Sequence, residues 1–511
     1  MPRIQWIKLG LAPDQKDKSG TRLSSAYNDS RENPVPYHSS PEQVATDYLR
    51  HLREHIVDIL KTQISSLLDV KNLQFVLTVP AIWPEKAKVA TLHCAQEAGY
   101  GQASEIRIIS EPEAAAVHAL RNSNPHGLEV DDIAVLLDAG GGACDLITFC
   151  ICELHPTLRL KEAAPGNGSL CGSTSLNRRF EKFLEEHLSL VPGWERVEEA
   201  MQRFEFVAKR TFTGNANDDI MIPVPGISDD ENIEVSRGRL RVTGDNIAQI
   251  FLPVLEEVHN LVKDQIHTSK KQVKAIILVG GFGQSPYLRK YLRDSFSPDI
   301  EVLTPADGWT AVVRGALRKT LRGCSASAAQ THIESRMARK NYGLICSVVY
   351  DPSLHDQQKA YWSEFYGHYR IDVMSWFTKK GHRVTETEPN VTKWLQQQLV
   401  HDSPFDEIKT RMYELDDATA PLYFNRRKYA KLVKTMPFTI TMLGLDIKEH
   451  AVLEPKLHRI QRSRMPTRWG ADGQKYYQIS FEIHAFYYCA HCKYEIWYEG
   501  KNHGSVKVEY V

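Results

Sequence analysis

Apolar positions at Val44, Tyr48, Leu52, Ile56, Ile59, Ile64 and Leu67 recur at helical intervals, which predicts a helix with one buried face. Ser40-Pro41-Glu42-Gln43 supplies its start: a hydroxyl cap, proline at the first helical position, and glutamine three residues after the cap. Residues 19–41 before it are rich in Ser, Asn and Pro and read as a loop. Beyond the helix, Phe75–Val79 and Ile106–Ile109 read as strands around a helix over about Glu85–Ala98. Strand, helix and strand in so few residues imply a parallel βαβ unit. A second α/β set follows: strands Ile133–Leu137, Leu146–Cys152 and Ala275–Val279, with helices over Ser175–Leu188 and Gly193–Thr213. After Thr320 the pattern changes. Arg322–Arg339 is a small, polar connection. Beyond it Ile479, Phe481, Ile483 and Ala485 alternate with Ser480, Glu482 and His484, and Phe438, Ile440 and Met442 alternate with threonines. Period two predicts an antiparallel sheet with one solvated face, arranged as a sandwich.

Composition narrows the function classes. Across 511 residues, 63 basic and 63 acidic side chains cancel, whereas a nucleic-acid binder usually carries a basic surplus. No uninterrupted apolar run approaches membrane-helix length, so neither nucleic acid nor membrane is expected as a partner. Nine cysteines are too sparse for a disulfide scaffold and suggest reduced thiols in the cytosol or nucleus, with a cytoplasmic protein the expectation.

Three segments carry chemistry. In Ile133-Ala-Val-Leu-Leu-Asp138-Ala-Gly140-Gly141-Gly142-Ala-Cys-Asp145 a buried strand ends in Asp, three glycines turn the chain, and a second Asp follows. Successive glycines let backbone N–H groups converge on an anion, although the segment alone describes a tight hairpin equally well. Leu278-Val279-Gly280-Gly281-Phe282-Gly283-Gln284-Ser285-Pro286 is a second glycine turn, for which ordinary strand-to-helix punctuation is the simpler local reading. Ser110-Glu111-Pro112-Glu113-Ala114-Ala115-Ala116 puts small residues after a Glu-Pro turn, suited to close helix crossing or to a carboxylate beside a cation's water shell.

Taken in order, these segments together with Val79-Pro80-Ala81, Gly168–Asn177 and Ala208–Thr213 resemble the nucleotide-binding domain of the 70-kDa heat-shock protein family. The resemblance covers about residues 1–320. Trp6-Ile7-Lys8 and Trp309–Ala316 look most like its divergent twelve-type branch. It implies an α/β, actin-like (ribonuclease H-like) ATPase domain of two lobes ahead of the β-rich domain read from the alternation, with ATP or ADP and Mg²⁺ as cofactors. Lys8 would match the family's catalytic lysine. Gly140, Gly141 and Gly142 would cradle the phosphates. Asp138 would hold the Mg²⁺ water shell with help from Glu111, and Asp145 would lie near the attacking water. Gly172 is kept from the second phosphate strip, where Cys171 replaces a glycine. Lys209, Arg210 and Thr213 match the adenosine clamp, although Phe206 replaces a ribose-binding Glu. Gly280, Gly281 and Gly283 fit the adenosine loop, where Gln284 replaces a base-stacking Arg.

The family's first phosphate loop, of the type Asp-x-Gly-Thr-Thr, has no counterpart in residues 1–40. The first lobe is therefore expected to be N-terminally incomplete, through a truncated gene start in preference to dependence on a partner. The expected division is first lobe 1–130, second lobe 131–321, linker 322–341 and β-rich domain 342–511. The expected function is a chaperone-like ATP-binding switch with lobe closure and weak hydrolysis. The alternative is a pseudo-ATPase scaffold, either one meeting client or partner proteins through the β-rich domain.

Two further candidates belong to the bland side. Cys489-Ala-His-Cys492 lacks a second ligand pair for zinc and reads as ordinary strand cysteines. Trp362, Phe365, Tyr366, Tyr369, Trp376 and Phe377 read as core rather than as a binding surface.

Overall fold

A computed structural model describes residues 7–12, 40–64, 73–122, 127–320, 331–400, 409–422, 439–442, 445–454, 463–488 and 492–508, apart from positions 82, 84, 103, 104, 156, 193, 195, 196, 386, 418 and 464. The chain divides into two compact units, Met1–Ile333 and Glu334–Val511.

In the first unit, helix Pro41–Gln63 starts as its sequence predicts: the Gln43 N–H donates to the Ser40 hydroxyl at 3.2 Å, and Pro41 follows the cap. The buried stripe differs from the expected one. Val44, Ala45 and Val57 are inside, whereas Tyr48, Ile59 and Ile64 are exposed. Small Ala45 packs with Ala87 and Cys94, and Leu49 joins them, so close approach of helix Glu85–Glu97 selects the stripe through 45 and 49. Leu67 lies outside the described residues.

Strands β1 (Val76–Val79) and β2 (Arg107–Ser110) flank that second helix and pair in parallel, Val76 opposite Arg107. Helix Glu111–Asn122 leaves β2 without a loop. It crosses helix Ala311–Thr320 so closely that a Cβ built on Gly315 would lie 1.7 Å from the Ala114 carbonyl oxygen. Only glycine fits there.

The larger sheet is built on β3 (Ile133–Ala139), buried along its whole length, and β4 (Cys144–Glu153). With β5 (Leu158–Ser169), β9 (Ala275–Val279) and β10 (Glu301–Leu303), its strands run in the order β10, β9, β3, β4, β5. β9 is parallel to β3 and β4 is antiparallel to it, with Asp138 opposite Asp145. A small sheet of β6 (Ile220–Pro223), β7 (Val235–Ser236) and β8 (Arg239–Val242) precedes helix Gly244–Ser269. The core packs Phe180 on Phe204, ring centroids 4.1 Å apart, with Phe212 and Phe251 nearby.

Two elements carry no clear signal in sequence, and two others differ from the sequence reading. β5 carries Pro165, Gly166 and Gly168 and so resembles a loop, yet it lies against β4 along most of its length. Helix Gly244–Ser269 holds Pro253 in its interior, which hides it from a rule that ends helices at proline. The helix expected over 193–213 starts at Glu198 and is interrupted by a π turn at Phe204–Ala208. A strand, Thr331–Met337, lies inside the stretch expected as a polar connection.

The second unit is a sandwich of two antiparallel sheets. One runs Tyr361–Ser363, His368–Thr378, Asn341–Val349, Thr410–Leu415, Leu445–Leu453, Thr439–Met442. The other runs Asn390–Leu399, Lys475–Tyr487, Cys492–Tyr498, Lys501–Val508, with Thr467–Trp469 paired to Lys475–Tyr487. Tyr342, Leu344, Met412 and Leu453 of the first meet Ile479, Phe481, Ile483 and Tyr494 of the second in one core. The aromatic group expected as core divides instead. Phe377 packs on that core, while Trp362 and Tyr369 form an exposed edge-to-face pair at 5.3 Å. Phe438, Cys489 and His491 lie outside the described residues, and Cys492 is buried.

Candidate functional site

Backbone geometry builds the first part of the site. The Gly140 N–H closes the hairpin on the Ala143 carbonyl at 2.9 Å. The Gly140 and Gly141 carbonyls then accept the Ser173 and Thr174 N–H groups at 3.1 and 2.8 Å, and the Thr174 hydroxyl adds a bond to Gly141. Two otherwise unpaired donors at the start of helix Thr174–Leu188 are thereby satisfied by the hairpin. A Cβ on Gly172 would lie 2.3 Å from the Gly141 oxygen, so this contact demands glycine; nothing lies within 4 Å of one on Gly141 or Gly142. The hairpin is anchored on one side and open at its tip.

The charged part gathers beside it from four elements. Asp138 ends β3, Asp145 begins β4, Glu111 follows β2, and Lys8 comes from a short helical turn, Ile7–Gly10. The Lys8 ammonium donates to Glu111 Oε1 at 2.5 Å. Asp145 Oδ1 accepts the Ala81 N–H at 3.0 Å, so the turn after β1 fixes a carboxylate of the larger sheet.

Burial and charge crowding act together here. Burial, then the neighbouring Glu111 carboxylate, pushes Asp138 up to about 7, with Lys8 opposing. Burial, Glu111 and Asp138 raise Asp145 well above the ordinary carboxylate range, against the Ala81 N–H and Lys8. Burial works against the Lys8 charge, but Glu111, Asp145 and Asp138 hold its ammonium above the usual value. Among the described residues three carboxylates share one ammonium here, and a buried excess of one sign is costly unless a counter-charge arrives.

The second glycine turn touches the same strand end. Gly280 has φ +85°, and its Cβ would lie 2.4 Å from both the Ala139 oxygen and Asp138 Oδ1. Gly283 packs on Leu278, and Gly281 faces Trp309.

The adenosine-clamp candidates are engaged locally. Buried Lys209 pairs with Glu205 and donates to Asn177 Oδ1 at 3.0 Å and the Ser173 carbonyl at 3.3 Å. Burial lowers its pKa despite Glu205. The Arg210 guanidinium lies 5.4 Å from the Phe206 ring centroid, and the Thr213 hydroxyl donates to Asp218 at 2.7 Å. The structure thus unites Lys8, Glu111, Asp138 and Asp145 with Gly140–Gly142, Gly172 and Gly280, and ties Lys209 to the strip after Gly172. Arg210 and Thr213 have their own neighbours. Sequence reasoning passed over the Ala81 N–H, which leaves no trace in residue type, and over Glu205, four residues before Lys209 at a helical pairing interval.

Comparison with known proteins decides the kinship. A family model described as Hsp70 protein matches residues 16–319. The chain belongs to the Hsp70 family. Its fold is therefore the actin-like ATPase fold, followed here by a β-rich unit. The human Heat shock 70 kDa protein 12A is 24% identical over 351 residues, covering 53% of this chain and 51% of that protein. Human Heat shock 70 kDa protein 12B is 24% identical over 359 residues, covering 54% and 52%. The Ribosome-associated molecular chaperone SSB of Candida glabrata is 27% identical over 265 residues, covering 50% of this chain and 39% of its own. The chain spans about half the length of these two Heat shock 70 kDa protein 12 relatives. Among the described residues no helix is long and apolar enough to cross a membrane.

Proposed function

We propose that the first unit binds Mg-ATP and Mg-ADP at the hairpin between β3 and β4 and hydrolyses ATP weakly, with nucleotide state setting the closure of two lobes in a chaperone-like, cytoplasmic switch. The observation that carries this reading is, among the described residues, the surplus of carboxylate at Glu111, Asp138 and Asp145 over the ammonium of Lys8, beside an open glycine tip. A bound Mg²⁺ would supply the missing positive charge and screen the phosphate oxygens. Among the described residues no three His, Cys, Asp or Glu side chains cluster as direct metal ligands. The donor set therefore fits a hydrated cation, with Asp138 and Glu111 accepting from its water shell.

Each residue then has a definite task. Gly141 and Gly142 offer backbone N–H groups to the β- and γ-phosphates, while the Gly140 N–H is committed to turning the hairpin. Asp145, held by Ala81, would be ionised once the cation's charge is in place and could then accept a proton from the attacking water. Lys8 adds positive charge at the phosphate end, and hydrolysis is weak because its ammonium is shared with Glu111. Gly280, Gly281 and Gly283 let the backbone approach the nucleoside. The β-rich unit meets client or partner proteins.

A second reading, a pseudo-ATPase scaffold that does not hydrolyse ATP, draws support from the clamp candidates, since Lys209 and Thr213 spend their polar atoms on Glu205, Asn177 and Asp218. Calorimetry with Mg-ATP and a phosphate-release assay separate the two. Binding heat lost in Gly141→Val, with phosphate release lost in Asp145→Ala, supports the switch. Binding without release favours the scaffold. No heat with the parent chain removes nucleotide binding altogether.

A further inference from the structure

Resting on that nucleotide-binding reading, the geometry points to Trp309 as the platform on which the nucleotide base stacks. Two observations lead there. First, Gln284 stands in the second glycine turn where the family resemblance places a base-stacking side chain, and it is turned inward. Its Nε2 is buried without a hydrogen-bond partner, and a Cβ on Gly308 would lie 3.1 Å from it. An amide whose nitrogen is shut off from solvent against Gly308 is poorly placed to offer its face to a base. Second, the next residue after Gly308 presents a large aromatic surface to solvent. Trp309 is 74% exposed, and a Cβ on Gly281 would lie 3.6 Å from its Cδ1 and Nε1.

The backbone fixes this arrangement. The Gly280 N–H donates to the Gly308 carbonyl at 3.1 Å, and the Gly308 N–H to Pro305 at 3.0 Å. His118, on helix Glu111–Asn122, bonds Asp307 at 2.7 Å and holds the start of the same loop. The two glycine-bearing turns are thus tied together with the indole at their junction, one short turn from Asp138, the residue assigned to the phosphate end. An exposed indole at such a place is costly to leave in water and well suited to cover a flat, apolar face. Bases stack on aromatic side chains through the π-face, with little dependence on their polar edges. Trp309 therefore does the work for which an arginine side chain would otherwise be needed, and Gln284 is released to pack.

The test measures a base-dependent and a base-free ligand on the same full chain. Calorimetric titrations with Mg-ADP and with Mg-tripolyphosphate are run on the parent, Trp309→Ala and Trp309→Phe, with thermal unfolding as a check on folding. The expected result is Mg-ADP binding weaker by about tenfold or more in Trp309→Ala, largely restored in Trp309→Phe, with tripolyphosphate affinity the same in all three. Equal Mg-ADP affinity in parent and Trp309→Ala overturns the assignment. So does an equal loss for Mg-ADP and tripolyphosphate, which marks Trp309 as a brace for the loop and not a base platform. If the parent binds neither ligand, the nucleotide-binding reading itself fails and the platform fails with it.

Discussion

Two buried carboxylate sites, one in each unit, meet opposite fates. In the second unit Glu414 lies between Lys340 at 2.6 Å and His450 at 3.0 Å. Burial alone would raise its pKa, but the His450 hydrogen bond and the Lys340 ammonium hold it at about 2. In the first unit Asp138 is equally sheltered, and burial together with Glu111 pushes it up to about 7. Glu414 is a finished ion pair whose partners are all in the fold. Asp138 and Asp145 are an unfinished one. A structure retains such a liability where a ligand completes it, which is why crowded, shifted carboxylates mark sites and well-paired ones do not.

The contrast is easiest to break at Glu414. Glu414→Gln should destabilise the second unit by about 3 kcal/mol at pH 7, read from denaturant unfolding. Because the folded pKa is depressed, the stabilisation is present above about pH 4.5 and is lost as pH falls toward 2, so parent and variant should converge in acid. An unchanged difference at pH 3 and pH 7 would mean that packing, and not charge, sets the effect.

The hairpin's anchored side should respond next. Gly172→Ala drives a Cβ into the Gly141 carbonyl and should cost about 2–3 kcal/mol in stability while also removing Mg-ATP binding.

Asp138→Asn should do the reverse of Glu414→Gln. With the folded pKa raised, ionising Asp138 penalises the folded state progressively between about pH 4 and 7. The ligand-free variant should therefore gain up to about 4 kcal/mol at pH 8 and nothing at pH 4, measured by thermal or denaturant unfolding. A loss like that of Glu414→Gln would put the two carboxylates in one class and end the comparison.

The smallest change is Gly141→Ala, at the open tip. Its stability should stay within about 0.5 kcal/mol of the parent because no atom meets the added methyl. If the proposed phosphate site is right, Mg-ATP affinity should still fall, since the methyl projects from the open tip.

The legible and illegible parts of the molecule divide along a physical line. Features made by backbone within one segment could be read directly: the glycine hairpin between Asp138 and Asp145, the Ser40 cap, and the alternation of Ile479, Phe481 and Ile483. Features that depend on which segments meet could not. Helical spacing does not say that Ala45, and not Tyr48, faces the core; that follows from the neighbouring helix. The Lys340–Glu414–His450 triad joins residues far apart in sequence and carries no motif. Within the site, the glycines announced themselves, whereas the Ala81 N–H on Asp145 and the indole beside Gly281 arise from tertiary approach. Trp309 reads from sequence as a marker of kinship, and only its exposure gives it a further role.

Calorimetric titration of Mg-ATP into the parent chain and into Asp138→Asn at pH 7.5 tests the central claim most directly. Saturable binding by the parent is expected, with at least a tenfold loss in a variant that is itself more stable. Equal affinities, or no heat with a parent chain shown to be folded, would contradict it.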